Sequence, residues 1–141
     1  MRILYSRSRS LGSLLIRLVT WSPWSHCAIV TAAATVIESR ALMGGVIERE
    51  ISVAIADATA LKFVEVPTPD DAAGIAWARE QVGKPYDWSG VIGIALHRVW
   101  DEPDRWFCSE LVEAALAAAG RRRFRAELGR VTPQHSWMVA P

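Results

Sequence analysis

Apolar and polar positions alternate or recur with enough regularity to predict most of the elements of this chain. "RILYS" reads as a first strand. In "SLGSLLIRLVTW", Leu11, Leu14, Leu15, Leu18 and Val19 repeat with helical spacing, Ser10 stands where a cap is wanted, and Pro23 in "SPWS" breaks the pattern. "HCAIVTA" and "TVIESRAL" are short and β-branched, which predicts two strands, and a hairpin centred on Ala32 would join them. "GGVIEREISVAIADA" opens on a glycine pair and reads as a further strand or a loop crossing the site, while "KFVEVP" alternates and stops at Pro67. "DDAAGIAWAREQV" carries acids at its start, as a helix N-terminus favours, and ends at Gly83 and Pro85. "YDWSGVIGIALHRVW" has helical spacing weakened by glycines, and "DEPD" is a turn.

The clearest helix follows. Cys108, Leu111, Val112, Ala115, Leu116 and Ala119 share one face, Ser109, Glu110 and Glu113 lie off it, and Gly120 closes it. The arginines 121–123 suit its negative pole, and "RRRFR" reads as a solvated patch there. The cysteine heads this helix, where unpaired amides and a partial positive charge meet. A thiolate there is stabilised and its pKa falls from about 8.5 toward neutrality. The same amides can hold the oxyanion of a tetrahedral intermediate. Cys108 is thus a candidate nucleophile, against the plainer reading of a small buried apolar residue.

A thiol nucleophile needs a base and a group that orients the base. Of three histidines, His97 fits an exposed surface role and His135 lies in the "TPQHSW" loop, whereas His26 opens a strand, which is a rigid mount. Glu38 lies 12 residues further on, and a hairpin about Ala32 sets it directly across from His26, able to accept the second imidazole N–H. Against this stand an exposed glutamate paired with Arg40, and a one-residue slip that would turn Glu38 to the wrong face. A zinc site from His26, Cys27, Cys108 and His135 fails because adjacent strand residues point to opposite faces, so no metal and no cofactor are expected.

With 141 residues, 51% of them apolar and 22% charged, the chain fits a single domain spanning 1–141, and a net charge of +1 argues against nucleic acid as partner. Two cysteines are too few for a disulfide scaffold, though one bridge between them is open. No stretch is apolar and long enough to span a bilayer. The first 21 residues superficially look like a signal peptide, but Arg17 interrupts a short apolar run and no clean cleavage site follows; the expectation is a cytoplasmic protein unless another route exports it.

"WSHCAIV", "VIESRA", "GKPYDWSGVIG" and "RWFCSELVEAAL", in that order, resemble the circularly permuted papain-like proteins, the YiiX-like branch related to NlpC-type cell-wall peptidases. In the ordinary order the cysteine segment precedes the histidine strand; here it follows. The resemblance covers most of the chain and implies an α+β fold, with an antiparallel sheet or half-barrel packed against the cysteine helix. It further implies Cys108 as nucleophile, His26 as general base and Glu38 as the third member of a triad. Tyr86 matches a tyrosine whose hydroxyl either helps at the oxyanion or only packs. Ser109 beside the nucleophile, and Trp24 and Trp88 flanking the catalytic segments, complete the candidate oxyanion and substrate-binding set, with core packing the default for the tryptophans. The stretch between Tyr86 and Cys108 is longer than in ordinary relatives, and it either walls the cleft or sets the substrate. The implied activity is hydrolysis of an amide, such as a cell-wall peptide or peptidoglycan fragment, through an acyl-enzyme. The rivals are a lipid-directed thiol acyltransferase or esterase and a binding module that keeps the cleft without turnover.

Overall fold

A computed structural model describes residues 1–87, 104–125 and 131–141. Five strands, β1 (Arg2–Ser8), β2 (His26–Val30), β3 (Thr35–Arg40), β4 (Gly45–Glu50) and β5 (Ala58–Glu65), form one antiparallel sheet in the order β4-β3-β2-β1-β5. The helices among the described residues are α1 (Leu11–Thr20), α2 (Ile51–Ala54), α3 (Asp71–Glu80), α4 (Cys108–Ala118) and α5 (Pro133–Met138). The "VIGIALHRVW" pattern, with His97, lies outside the described residues.

The strand alternation read from the sequence sorts the two faces of the sheet. Ile3, Tyr5, Cys27, Ile29 and Ile37 meet Leu111, Val112, Ala115 and Leu116 of α4 in the main core. Leu4, Ala28, Val30 and Val36 face the other way, against Ala54 of α2 and the flanking Ile51 and Ile55. The apolar stripe of α4 is buried as its spacing requires. Helix α3, capped by Asp70, which accepts the Ala73 amide at 3.0 Å, lies across α4. Gly74 permits the approach: a Cβ there would stand 2.7 Å from the Ala115 carbonyl oxygen and 2.8 Å from the Ala119 Cβ.

Three expectations are corrected. The hairpin of β2 and β3 pairs Ile29 with Ile37 and Val30 with Val36, so its centre is Ala33, not Ala32. Continued along the strands, that register sets Glu38 beside Ala28, diagonal to His26. A two-residue shift restores the side-chain face because the strand period is two, so His26 and Glu38 still share a side. The second correction is His135, which lies in α5 rather than in a loop; Thr132 caps that helix and its amide donates to His135 Nδ1 at 3.2 Å. The third is Arg123, half-buried with its side chain only 4% exposed, so that it is not part of a solvated patch. It pairs with Glu113, and Ser136 links the pair to the Tyr5 hydroxyl, forming a polar network that fastens α5 and the segment after α4 to the sheet. Helix α1 forms where its spacing predicts, with Ser10 accepting the Ser13 amide at 3.2 Å; its only buried residue is Ser13 and its apolar stripe faces outward.

The segment before α4 is held to the sheet by short links. Val46 N–H donates to the Lys84 carbonyl, Tyr86 N–H to the Gly44 carbonyl, and Trp106 N–H to the Pro85 carbonyl. The Ser39 hydroxyl also donates to the Trp106 carbonyl at 2.6 Å. Cys108 is thereby registered against the ends of β3 and β4. Gly45 is essential to this arrangement, since a Cβ there would sit 2.0 Å from the Lys84 carbonyl oxygen, a backbone atom. Gly45→Ala should therefore destabilise the fold by about 1–3 kcal/mol. Urea unfolding checks this, and a loss below about 0.5 kcal/mol would mean that the approach is loose.

Candidate active site

His26 is the first residue of β2 and Cys108 the first of α4, and the two meet. Phe107, the residue that caps α4, has extended backbone (φ −82°, ψ 155°) and no side-chain oxygen, so the cap does not consume first-turn amides as serine or aspartate would. The thiol follows at the first helical position, buried but forming part of the wall of an open cleft of about 620 Å³.

The imidazole is held on two sides. His26 Nε2 lies 2.5 Å from Glu38 Oε2, and the ring also hydrogen-bonds to Cys108. Glu38 is 1% exposed, and its other oxygen accepts from Arg49 Nε at 2.6 Å. Arg49 stands opposite Val36 on the neighbouring strand, placing its guanidinium on the same face as Glu38. The sequence reading did not single out Arg49. Its signal was available in the alternation of "VIERE", but choosing it required the β3–β4 register.

Protonation follows from these contacts. Burial opposes a charged His26, but its bonds to Cys108 and Glu38 outweigh that and raise its pKa from 6.5 to about 9. Burial likewise opposes charge on Cys108, and hydrogen bonds from Cys27 and His26 together with the imidazolium charge overcome it, so the thiol falls well below its ordinary value. Burial would raise Glu38; its bond to His26 and the charges of His26 and Arg49 instead lower it from 4.5 to about 2. These directions favour a thiolate–imidazolium pair backed by a carboxylate.

Cys27 corrects a further expectation. Neighbouring strand residues should diverge, yet both His26 and Cys27 bond to Cys108. The alternation holds along β2, but His26 begins that strand and Cys108 begins its helix. Both cysteines are free and buried. The Cys27 thiol is pushed up by burial first and then by its neighbour Cys108, so it stays protonated and can donate.

The remaining candidates divide. Tyr86 lines the cleft with Cys108, packs edge-on to Phe107 with ring centres 6.0 Å apart, and keeps its phenolic proton because burial and the nearby Cys108 push its pKa up. Ser109 does not face the cleft: it is fully buried and its hydroxyl donates to the Val131 carbonyl, because the helix turns it toward the interior. Trp24 is drawn away too, into an aromatic cluster with Tyr5 and Trp137 at 6.4 and 5.4 Å between ring centres, and is not among the cleft residues. Trp88 lies outside the described residues. Among the described residues no three His, Cys, Asp or Glu side chains cluster as metal ligands, and no helix is long and apolar enough to cross a membrane.

No protein-family profile matches the chain, and no characterised protein matches it by sequence. Among solved structures, the metalloprotein YiiX from Escherichia coli O157:H7 (DUF1105) is similar, with a TM-score of 0.64 and 27% identity over 86% of this chain. The chain spans 66% of the length of that YiiX chain. The described fold is therefore YiiX-like, a mixed α+β arrangement.

Glu38→Gln removes the charge that holds the imidazolium while keeping the shape. His26 should then titrate well below 9, toward its ordinary 6.5, in an NMR titration of the imidazole protons. Because the folded-state pKa of Glu38 is depressed, its stabilising contribution is present above pH 4.5 and is lost as pH falls toward 2. Wild-type stability measured by urea unfolding should fall across that window more steeply than that of Glu38→Gln; equal slopes would show that the carboxylate is not held by the pair.

Proposed function

We propose that the chain is a cysteine-dependent hydrolase of amide bonds, with Cys108 as nucleophile, His26 as general acid and base, and Glu38 as the orienting carboxylate. The observation that carries the reading is the imidazole held between Glu38 and Cys108, with the sulfur in the wall of an open cleft. The order of elements, histidine strand before cysteine helix, supports membership of the permuted papain-like proteins.

The chemistry follows from the resting charges. The Cys108 thiolate attacks the carbonyl carbon, forming the C–S bond as the C=O π pair moves to oxygen. First-turn amides of α4 and the protonated Tyr86 hydroxyl supply donors at that oxygen. Imidazolium His26 gives its proton to the leaving nitrogen as the C–N bond breaks, leaving a thioester. Neutral His26 then takes a proton from water, becoming imidazolium again as the hydroxide adds to the thioester, and collapse of that intermediate breaks the C–S bond, expelling the thiolate and releasing the carboxylic acid. Throughout, Glu38 accepts the other ring N–H and Arg49 keeps Glu38 ionised. YiiX is titled a metalloprotein, but the described residues here form no metal-ligand cluster and no step uses a metal.

A peptide amide, such as a cell-wall fragment, is the substrate implied by the kinship. A second reading, a thiol esterase or acyltransferase acting on a lipid ester, is favoured by the lining of the cleft, where Leu15, Ile16, Val19, Ala41 and Leu42 approach the sulfur's neighbourhood.

Iodoacetamide should label Cys108 rapidly below pH 7, and His26→Ala should slow that labelling at least tenfold at pH 6, as mass spectrometry of the modified peptide would record. Turnover of peptide amides or lipid esters should vanish in Cys108→Ala. Its base limb should lie near pH 9, because activity needs the His26 proton that is lost as pH rises through that value. Preferential labelling of Cys27, or labelling of Cys108 only at alkaline pH, would overturn the assignment.

A further inference from the structure

Helix α1 is turned the wrong way for a helix packed on a core. Its polar side holds it in place: Ser13, its one buried residue, bonds Ser25 Oγ at 2.7 Å and accepts the Ser8 amide at 3.1 Å. The apolar stripe points outward, with Leu11 79% and Leu18 63% exposed, and Trp21, just past the helix end, 90% exposed. Across the cleft, the turn Ala41–Met43 raises a second apolar ridge, with Leu42 88% exposed. Both ridges border the cleft that contains Cys108, since Leu15, Ile16 and Val19 form one wall and Ala41 and Leu42 contribute to the rim. An apolar surface gathered in this way on two sides of one opening is not the scatter of single residues expected on a soluble face.

The charge pattern specifies what covers it. Arg7, Arg9 and Arg17 lie in or beside α1, Arg2 at the far end of β1 is paired with Glu65, and residues 1–37 include no aspartate or glutamate. Arg9 is exposed at the start of α1, and Arg7 and Arg17 are half-buried beside the stripe. The acid of the rim, Asp57, lies 3.7 Å from Arg40. Leucines with an interfacial tryptophan and flanking arginines fit a helix lying in the headgroup region of an anionic bilayer. We propose that α1, Trp21 and the Leu42 ridge form a docking surface for an anionic lipid bilayer, which sets the mouth of the Cys108 cleft against the membrane. The surface involves none of the thiol chemistry, so the two assignments stand or fall separately.

Cosedimentation of the full chain with vesicles tests it, comparing phosphatidylcholine alone with phosphatidylcholine mixed with phosphatidylglycerol. The chain should bind the mixed vesicles with roughly tenfold higher partitioning than the neutral ones. Leu11→Glu/Leu18→Glu should abolish binding while circular dichroism and the melting curve stay as in wild type, since both side chains are exposed. Arg9→Glu should weaken binding to the mixed vesicles alone. Cys108→Ala should bind as wild type does. The blue shift of tryptophan emission on binding should shrink in Trp21→Phe. Absence of binding to either vesicle, equal binding to both, or unchanged binding by the double leucine variant would overturn the proposal. A concentration-dependent dimer broken by the same leucine variant, without vesicle binding, would assign the stripe to a second copy of the chain and overturn it as well.

Discussion

The imidazolium of His26, caught between a thiolate and a carboxylate, is the interaction on which the site depends. Each of the three groups is held in its charged form by the others against the cost of burial. Removing one leaves an uncompensated charge in a poorly solvated place, which is far more costly than removing a surface ion pair. Arg49 extends the chain of charges by one more residue, so Glu38 carries two cationic partners and has no reason to take up a proton near neutrality.

That charge chain is assembled by parts of the fold with little chemistry of their own. The β3–β4 register delivers Arg49, the β2–β3 register delivers Glu38, and the links from Ser39, Gly44 and Pro85 to the segment before α4 deliver Cys108. Close packing makes these placements definite, since Gly45 and Gly74 leave no room for a side chain where backbone approaches backbone. Behind the thiol, Cys27 belongs to both systems: it is a core residue opposite Tyr5 and also a donor to the sulfur. A buried neutral thiol is well suited to that place, being small enough for the core and polar enough to bond a thiolate.

The cleft joins this polar corner to an apolar entrance. Helix α1 is held by its polar side, through Ser13, and leaves its leucines facing outward. The charged corner and the apolar residues of α1 and the Ala41–Met43 turn line one and the same cleft.

The sequence by itself determined most of the elements and pointed to the residues that meet at the cleft. The β-branched runs of β2 and β3, the stripe of α4, the Ser10 cap of α1 and the acids that open α3 are local patterns, because periodicity and capping are properties of neighbouring residues, whereas the choice of Glu38 leaned on an assumed hairpin pairing and on the family resemblance. Tertiary structure decided what depends on pairing between distant segments. It moved the hairpin centre from Ala32 to Ala33, kept Glu38 on the right side because the strand period is two, and brought in Arg49 through a third strand. It turned Ser109 and Trp24 inward, buried the Arg123 side chain against Glu113, and set Cys27 beside Cys108. It also reversed the meaning of the α1 stripe. Spacing says that five apolar residues share a face, but only the packing partners decide whether that face looks toward the core or away from it.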